Sequence, residues 1–181
     1  MVARGGMRRG LLPWSTLLAA GCSILLDRVS KWWVVENLPL GEPRPPIPAI
    51  ERWFSFTYIH NTGAAFGMLP QGKAVFAAVA VVAVLALARW YDRLPVDHLP
   101  VRIAVGLIMG GALGNLIDRL TVGYVIDFLD FKFWPVFNIA DSSLVVGVLV
   151  LAFYLLREGE RPQGERLKRS GDVECSRDGV A

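Results

Sequence analysis

Four stretches of this sequence are long and apolar enough to form helices across a lipid bilayer, and no other feature restricts the fold as much. They run over about residues 11–35, 68–88, 101–120 and 136–156. A crossing helix needs about 20 mostly apolar residues. Its backbone groups must also bond within the segment, because the hydrocarbon holds no water. The second stretch contains AVFAAVAVVAVLALA; the first is interrupted by Asp27, Arg28 and Lys31. The pattern predicts an all-α membrane protein with four transmembrane helices. Composition agrees: 54% of the residues are hydrophobic, mean hydropathy is +0.44, and only 19% are charged, against about 25% in a soluble domain.

Basic residues in the connections orient such helices, because loops rich in Lys and Arg stay in the cytoplasm. Arg4, Arg8 and Arg9 open the chain, Arg89, Arg93 and Arg102 flank the link between the second and third stretches, and the tail is basic. Both termini and that link are therefore expected on the cytoplasmic side. Segments 36–67 and 121–135 then fall on the outer, extracytoplasmic face. In the first, LPLGEPRPPIPAI has too many prolines for a helix interior. RWFSFTYIHNTGAAFG, which follows it, and YVIDFLDFKFW in the second both read as strand material. A small β-sheet on the outer face is expected. Residues 1–157 form one membrane domain in this reading, and the polar tail, 158–181, is expected to be disordered.

Several function classes fall away. The net charge of +3 is small and many of the bases sit toward the chain ends rather than on one face, so no nucleic-acid partner is expected. Cys22 lies in an apolar stretch and Cys175 in the tail, with His60 and His98 far from both in sequence. Neither a disulfide framework, nor a thiol protease, nor a metal site has support.

The polar residues inside or beside the apolar stretches carry the functional signal, because an ion in hydrocarbon is costly. Asp27 and Lys31 are four apart and share a helical face. They read either as an interfacial ion pair or as support for a nearby site. In GALGNLIDRL, Asn115, Asp118 and Arg119 share one flank of the third stretch. A structural hydrogen-bond cluster and a site contribution both remain open for them. Asp130 reads as a solvated loop acid. Asp141 lies in the first turns of the fourth stretch, just after Asn138, where a helix N-terminus favours an acid. That does not explain Asp127, which stands among aliphatics at the same expected depth. Two carboxyl groups in contact share a proton near neutral pH, so one serves as base and the other as acid. Activating water against a peptide bond needs that combination.

The stretches DRVSK (27–31), NTGAAFG (61–67), GNLIDR (114–119), VIDF (125–128) and FNIAD (137–141) together resemble signal peptidase II, the bacterial lipoprotein signal peptidase family. The resemblance covers about residues 11–156. It implies a membrane aspartic endopeptidase that cuts prolipoproteins before a diacylglyceryl-modified cysteine. The matching motifs make Asp127 and Asp141 the catalytic pair, and assign Asp118 no catalytic role. Asn61, Asn115, Asp118, Arg119 and Asn138 would hold the aspartates or the substrate, and Asp27 and Lys31 would brace the first helix. No metal or cofactor is implied. The expected partners are lipidated prolipoprotein substrates and membrane lipid, and the enzyme is expected to be a monomer in the bacterial cell (inner) membrane.

Two other readings compete. A small proton-coupled transporter also places carboxylates in membrane helices, but here the acids gather at one interface, and no repeated half is visible. LLAAGC, ending at Cys22, loosely resembles a lipoprotein signal, yet more apolar sequence follows it.

Overall fold

The computed structural model describes residues 12–63 and 72–160. The N-terminal arm, residues 64–67 of NTGAAFG and residues 161–181 of the tail lie outside the described residues. Four long helices are present: α1 (Trp14–Asn37), α2 (Gly72–Trp90), α3 (Leu99–Thr121) and α4 (Ile139–Glu160). Between them run three strands, β1 (Pro43–Arg44), β2 (Phe54–Asn61) and β3 (Val125–Phe131), paired antiparallel in the order β1-β2-β3. The proline-rich passage makes one short 3-10 turn at Pro48–Ile50, with proline at the helix start where no donor is lost.

Among the described residues, three helices are long and apolar enough to cross a membrane: Ala74–Arg93, Leu99–Thr121 and Ile139–Arg157. α1 has 24 residues but carries Asp27, Arg28 and Lys31 in its second half. All three turn toward the protein. Asp27 and Lys31 are buried, and Arg28 reaches a carboxylate of α3.

α3 is the centre of the bundle, packed against both α1 and α4, with α2 resting on it less extensively. In its most apolar window 61% is buried, against 6% for α2 and 17% for α4. Lipid tails are as apolar as leucine, so close backbone packing has to hold such helices together. Glycines supply it. A Cβ on Gly110 would stand 2.7 Å from the Ala20 carbonyl oxygen of α1, and one on Gly147 equally close to the Ala104 carbonyl oxygen of α3. On the opposite flank of α3, a Cβ on Gly111 would run into the Ala140 carbonyl oxygen. The outward side chains of α4, such as Val145, Leu149 and Leu156, are exposed, as expected of a helix that faces lipid.

α3 ends at Thr121, and Gly123 just beyond it has a φ of 86°, a left-handed conformation that glycine adopts without strain. The chain turns there into β3, which crosses over the start of α4. Between Phe56 and Ile59 the pairing of β2 with β3 slips by a bulge. An extra residue in one strand bends it and re-aims its side chains. Beyond the bulge, Ile59 pairs with Asp127 and Asn61 with Val125. A small core of Val34, Tyr58, Ile126 and Phe128 seals the sheet onto α1.

Asp130 is not a solvated loop acid. It lies in β3, where its carboxylate accepts bonds from Thr57 (2.6 Å) and Ser55 (3.2 Å) and pairs with Lys132. The register puts Ser55 opposite Asp130, a pairing that the spacing of the acid alone could not reveal.

Candidate active site

Asp127 and Asp141 come together where β3 passes the first turn of α4. Asn138, just before α4, joins them. Its side-chain amide donates to Asp127 Oδ1 at 2.6 Å, and its side-chain carbonyl accepts from the Asp141 backbone N–H at 2.9 Å. Asp141 answers by accepting from the Asn138 backbone N–H at 3.3 Å. This reciprocal pair is a capping box, with asparagine at the cap and aspartate three residues on. The helix start thus uses both residues structurally, and the spacing in FNIAD carries that signal.

Asn115 on α3 holds the other side of Asp141. Its Nδ2 donates to Asp141 Oδ1 at 2.7 Å. Its Oδ1 accepts from Lys31 Nζ and from Asn138 Nδ2, both at 3.1 Å. An ammonium can only donate, so Lys31 fixes which end of the Asn115 amide faces the aspartate. Asn61 completes the shell, donating Nδ2 to Asp127 Oδ2 at 2.8 Å across β2 and β3. Its own Oδ1 accepts from the Gly63 N–H at 2.8 Å, which sets its rotamer.

Below lies a buried ionic cluster. Lys31 Nζ sits 2.9 Å from Asp27 and 2.7 Å from Asp118, and an Arg28 nitrogen sits 2.9 Å from Asp27 and 2.6 Å from Asp118. Two acids and two bases balance. The remaining acceptor capacity is also used: Asp27 accepts from the Ala140 N–H at 3.1 Å and Asp118 from the Ile126 N–H at 3.2 Å. Asp27 therefore ties α1 to the start of α4, and Asp118 ties α3 to the strand that carries Asp127. Both tethers end beside the aspartate pair. Arg28 belongs to this cluster, and sequence reasoning missed it. It is adjacent to Asp27, so the helical spacing that marked Lys31 does not mark it.

Arg119 donates to the Asn115 carbonyl at 3.2 Å, and its guanidinium lies over the Phe76 ring of α2, 5.6 Å from the centroid. It meets no carboxylate directly, although the charges of both Asp141 and Asp127 act on it.

Asp127 is fully buried. Burial pushes its carboxyl up from the ordinary 3.8 to about 6; the Asn61 and Asn138 bonds oppose the rise and the charge of Asp141 adds to it. The carboxyl thus exchanges its proton close to neutral pH, the range required of an acid–base group. Asp141 also forms part of the wall of an apolar groove of about 410 Å³ that includes Phe137 and Val145.

Of the site residues anticipated from the sequence, Asn61, Asn115 and Asn138 bond the aspartates directly, Asp27, Lys31 and Asp118 form the cluster beneath them, and Arg119 joins only through the Asn115 carbonyl. Four points of similarity to known proteins accompany the geometry. A lipoprotein signal peptidase of Moorella thermoacetica is 43% identical over 150 residues, covering 83% of this chain and 95% of its own length. One from Halothermothrix orenii is 46% identical over 135 residues, 75% of this chain and 90% of its own. A solved structure described as a bacterial membrane enzyme superposes with a TM-score of 0.73 at 30% identity, covering 86% of this chain and 95% of that one. The family model for signal peptidase (SPase) II matches residues 19–157, and with relatives this similar along most of its length, the chain belongs to the signal peptidase II family.

Proposed function

We propose that this protein is the endopeptidase that removes signal peptides from diacylglyceryl-modified prolipoproteins, cutting before the lipidated cysteine. Asp127 and Asp141 act as its catalytic pair. The pair holds one proton. The ionised carboxylate takes a proton from water, and that water attacks the scissile carbonyl. The protonated partner donates to the carbonyl oxygen. Collapse of the tetrahedral intermediate sends a proton to the leaving amine and breaks the C–N bond. The two aspartates titrate as one system. Asn138, Asn115 and Asn61 keep both carboxyl groups aimed at a common point, Lys31 and Asp118 hold those amides and β3 in place, and Arg119 flanks the pair.

The observation that carries this reading is the single residue, Asn138, bonded to both aspartates. A buried carboxyl that titrates near neutrality supports it. In this reading α1 also crosses the bilayer. Asp27, Arg28 and Lys31 turn inward onto α3 and are neutralised there, which lowers the cost of placing them in hydrocarbon, and Glu36 stands exposed at the last turn. Both termini then lie in the cytoplasm, and the sheet and the aspartates lie at the outer rim of the bacterial cell (inner) membrane. The protein works as a monomer, since one chain supplies the whole network.

The test is processing by the purified protein in proteoliposomes. A diacylglyceryl-modified prolipoprotein is expected to be cut at the bond before its cysteine, and the same precursor without lipid left intact. Cleavage independent of lipid, or none of either precursor, would reject the assignment.

A further inference from the structure

The groove beside Asp141 has a composition that decides what it takes. Phe131, Phe133, Trp134 and Phe137 form one wall, and Val145 and Val146 of α4 the other. Val145 follows Asp141 by four residues, and Val145 and Val146 follow Ser142 by three and four, so the four make one stripe along the helix. The groove therefore runs from the aspartate down a face of α4. The rim is open: Phe133 is 73% exposed, Trp134 64%, Val145 58% and Val146 49%.

Most of the polar groups nearest the aspartate are already occupied. Ser142 Oγ donates to the Asn138 carbonyl at 2.9 Å, and Asp141 is held by Asn115 and Asn138. The Phe137 carbonyl accepts from the Phe128 and Leu129 N–H groups at 3.0 and 2.8 Å, and its N–H donates to the Leu129 carbonyl at 3.2 Å. The Trp134 N–H is spent on the Phe131 carbonyl at 2.8 Å. An extended peptide lying here would find few partners for its own backbone groups, which is costly away from water. A hydrocarbon chain has no such groups.

We infer that this groove seats an acyl chain of the substrate's lipidated cysteine, and that Val145 and Val146 set how that chain lies against the aspartate pair. The inference rests on the proteolytic reading above. It adds that the enzyme senses the lipid through α4 and the β3–α4 connection, and that the peptide approaches Asp127 from elsewhere. Chain occupancy of the groove fixes how far the scissile bond stands from the aspartates, since the cysteine bearing the lipid is next to that bond.

The experiment compares two prolipoproteins of identical sequence, one with two palmitoyl chains and one with two hexanoyl chains, cleaved by wild type and by Val146→Trp in proteoliposomes. Filling an apolar pocket with the wrong bulk costs about tenfold or more. The dipalmitoyl substrate is expected to lose about that much kcat/KM with the variant, while the dihexanoyl substrate stays within about twofold. Equal responses of the two substrates, or no response of the long one, overturn the groove assignment while leaving the protease intact. Failure of wild type to cut either substrate overturns the proteolytic reading instead. A second measurement does not depend on the variant's folding. A dipalmitoyl substrate with a photoreactive group at the chain end is expected to label wild type within residues 131–146. Labelling confined to other helices overturns the proposal.

Discussion

Asp127 and Asp141 stand on different elements, a strand and a helix, yet one side-chain amide serves both: Asn138 donates to the first and accepts from the backbone of the second. Because Asp141 returns a bond to the Asn138 backbone, the helix cap and the carboxyl pair are one structure. Whatever fixes the start of α4 also fixes the distance between the acids.

The double duty of Asn138 can be separated by substitution. Serine is as good a cap as asparagine, whereas alanine loses about 1 kcal/mol. Serine nevertheless lacks the amide that reaches Asp127. Both variants lose the buried amide bond to Asp127, but Asn138→Ser keeps the cap and is expected to lose less thermal stability than Asn138→Ala. Both should lose about a hundredfold in kcat, as small displacements of reacting groups do. Thermal unfolding in detergent, alongside turnover, checks the split. Full activity in Asn138→Ser would mean that the amide bridge is dispensable.

Lys31 is buried between two carboxylates. Its removal leaves Asp27 and Asp118 with Arg28 alone, and breaking a buried ion pair costs about 3–5 kcal/mol. Lys31→Met should therefore unfold at distinctly lower temperature. Adding Asp118→Asn restores the charge balance and should recover part of the loss. A double variant no more stable than the single one would show that charge balance is not what the cluster provides.

Gly111 faces the Ala140 carbonyl without room for a Cβ. Ala140 immediately precedes Asp141 and is the residue that Asp27 grips. Gly111→Ala should push the first turn of α4 away from α3. Helix content by circular dichroism is expected to stay unchanged while cleavage falls at least about tenfold. Unaltered cleavage would mean that the site tolerates displacement of that turn.

Raising the Asp127 carboxyl to about 6 in the folded protein, from an ordinary 3.8, makes the folded state the tighter proton binder between those values. Stability contributed by this group is present at low pH and is lost as pH rises from about 4 through about 6. Wild type should thus gain stability relative to Asp127→Asn as pH falls from 6.5 to about 4, seen in paired melting temperatures across that range. A gap between the two that is constant with pH would contradict the buried, ionisable state of Asp127.

The helices were legible because hydrocarbon length and apolarity leave little choice: a helix occupies each of the four apolar stretches. The acids stood out for the same reason, since Asp127 among aliphatics has no cheap structural explanation. Partnerships were legible only where local geometry dictates them. Asp27 and Lys31, four apart, are indeed an ion pair, and Asp141 does stand in the first turn of a helix, though its capping partnership with Asn138 was not anticipated. Contacts made across elements were not. The pairing of Arg28 with Asp118 spans 90 positions, and the bond from Asn61 to Asp127 depends on a strand register shifted by a bulge. Asp130 was misread because nothing in its neighbourhood announces Thr57 and Ser55.

The most direct test replaces each acid singly with its amide and follows processing of a diacylglyceryl-modified prolipoprotein in proteoliposomes. Asp127→Asn and Asp141→Asn should each insert normally and reduce turnover to background, while Asp118→Asn, once folded, keeps measurable cleavage. Substantial turnover by either of the first two variants would contradict a shared-proton aspartate pair.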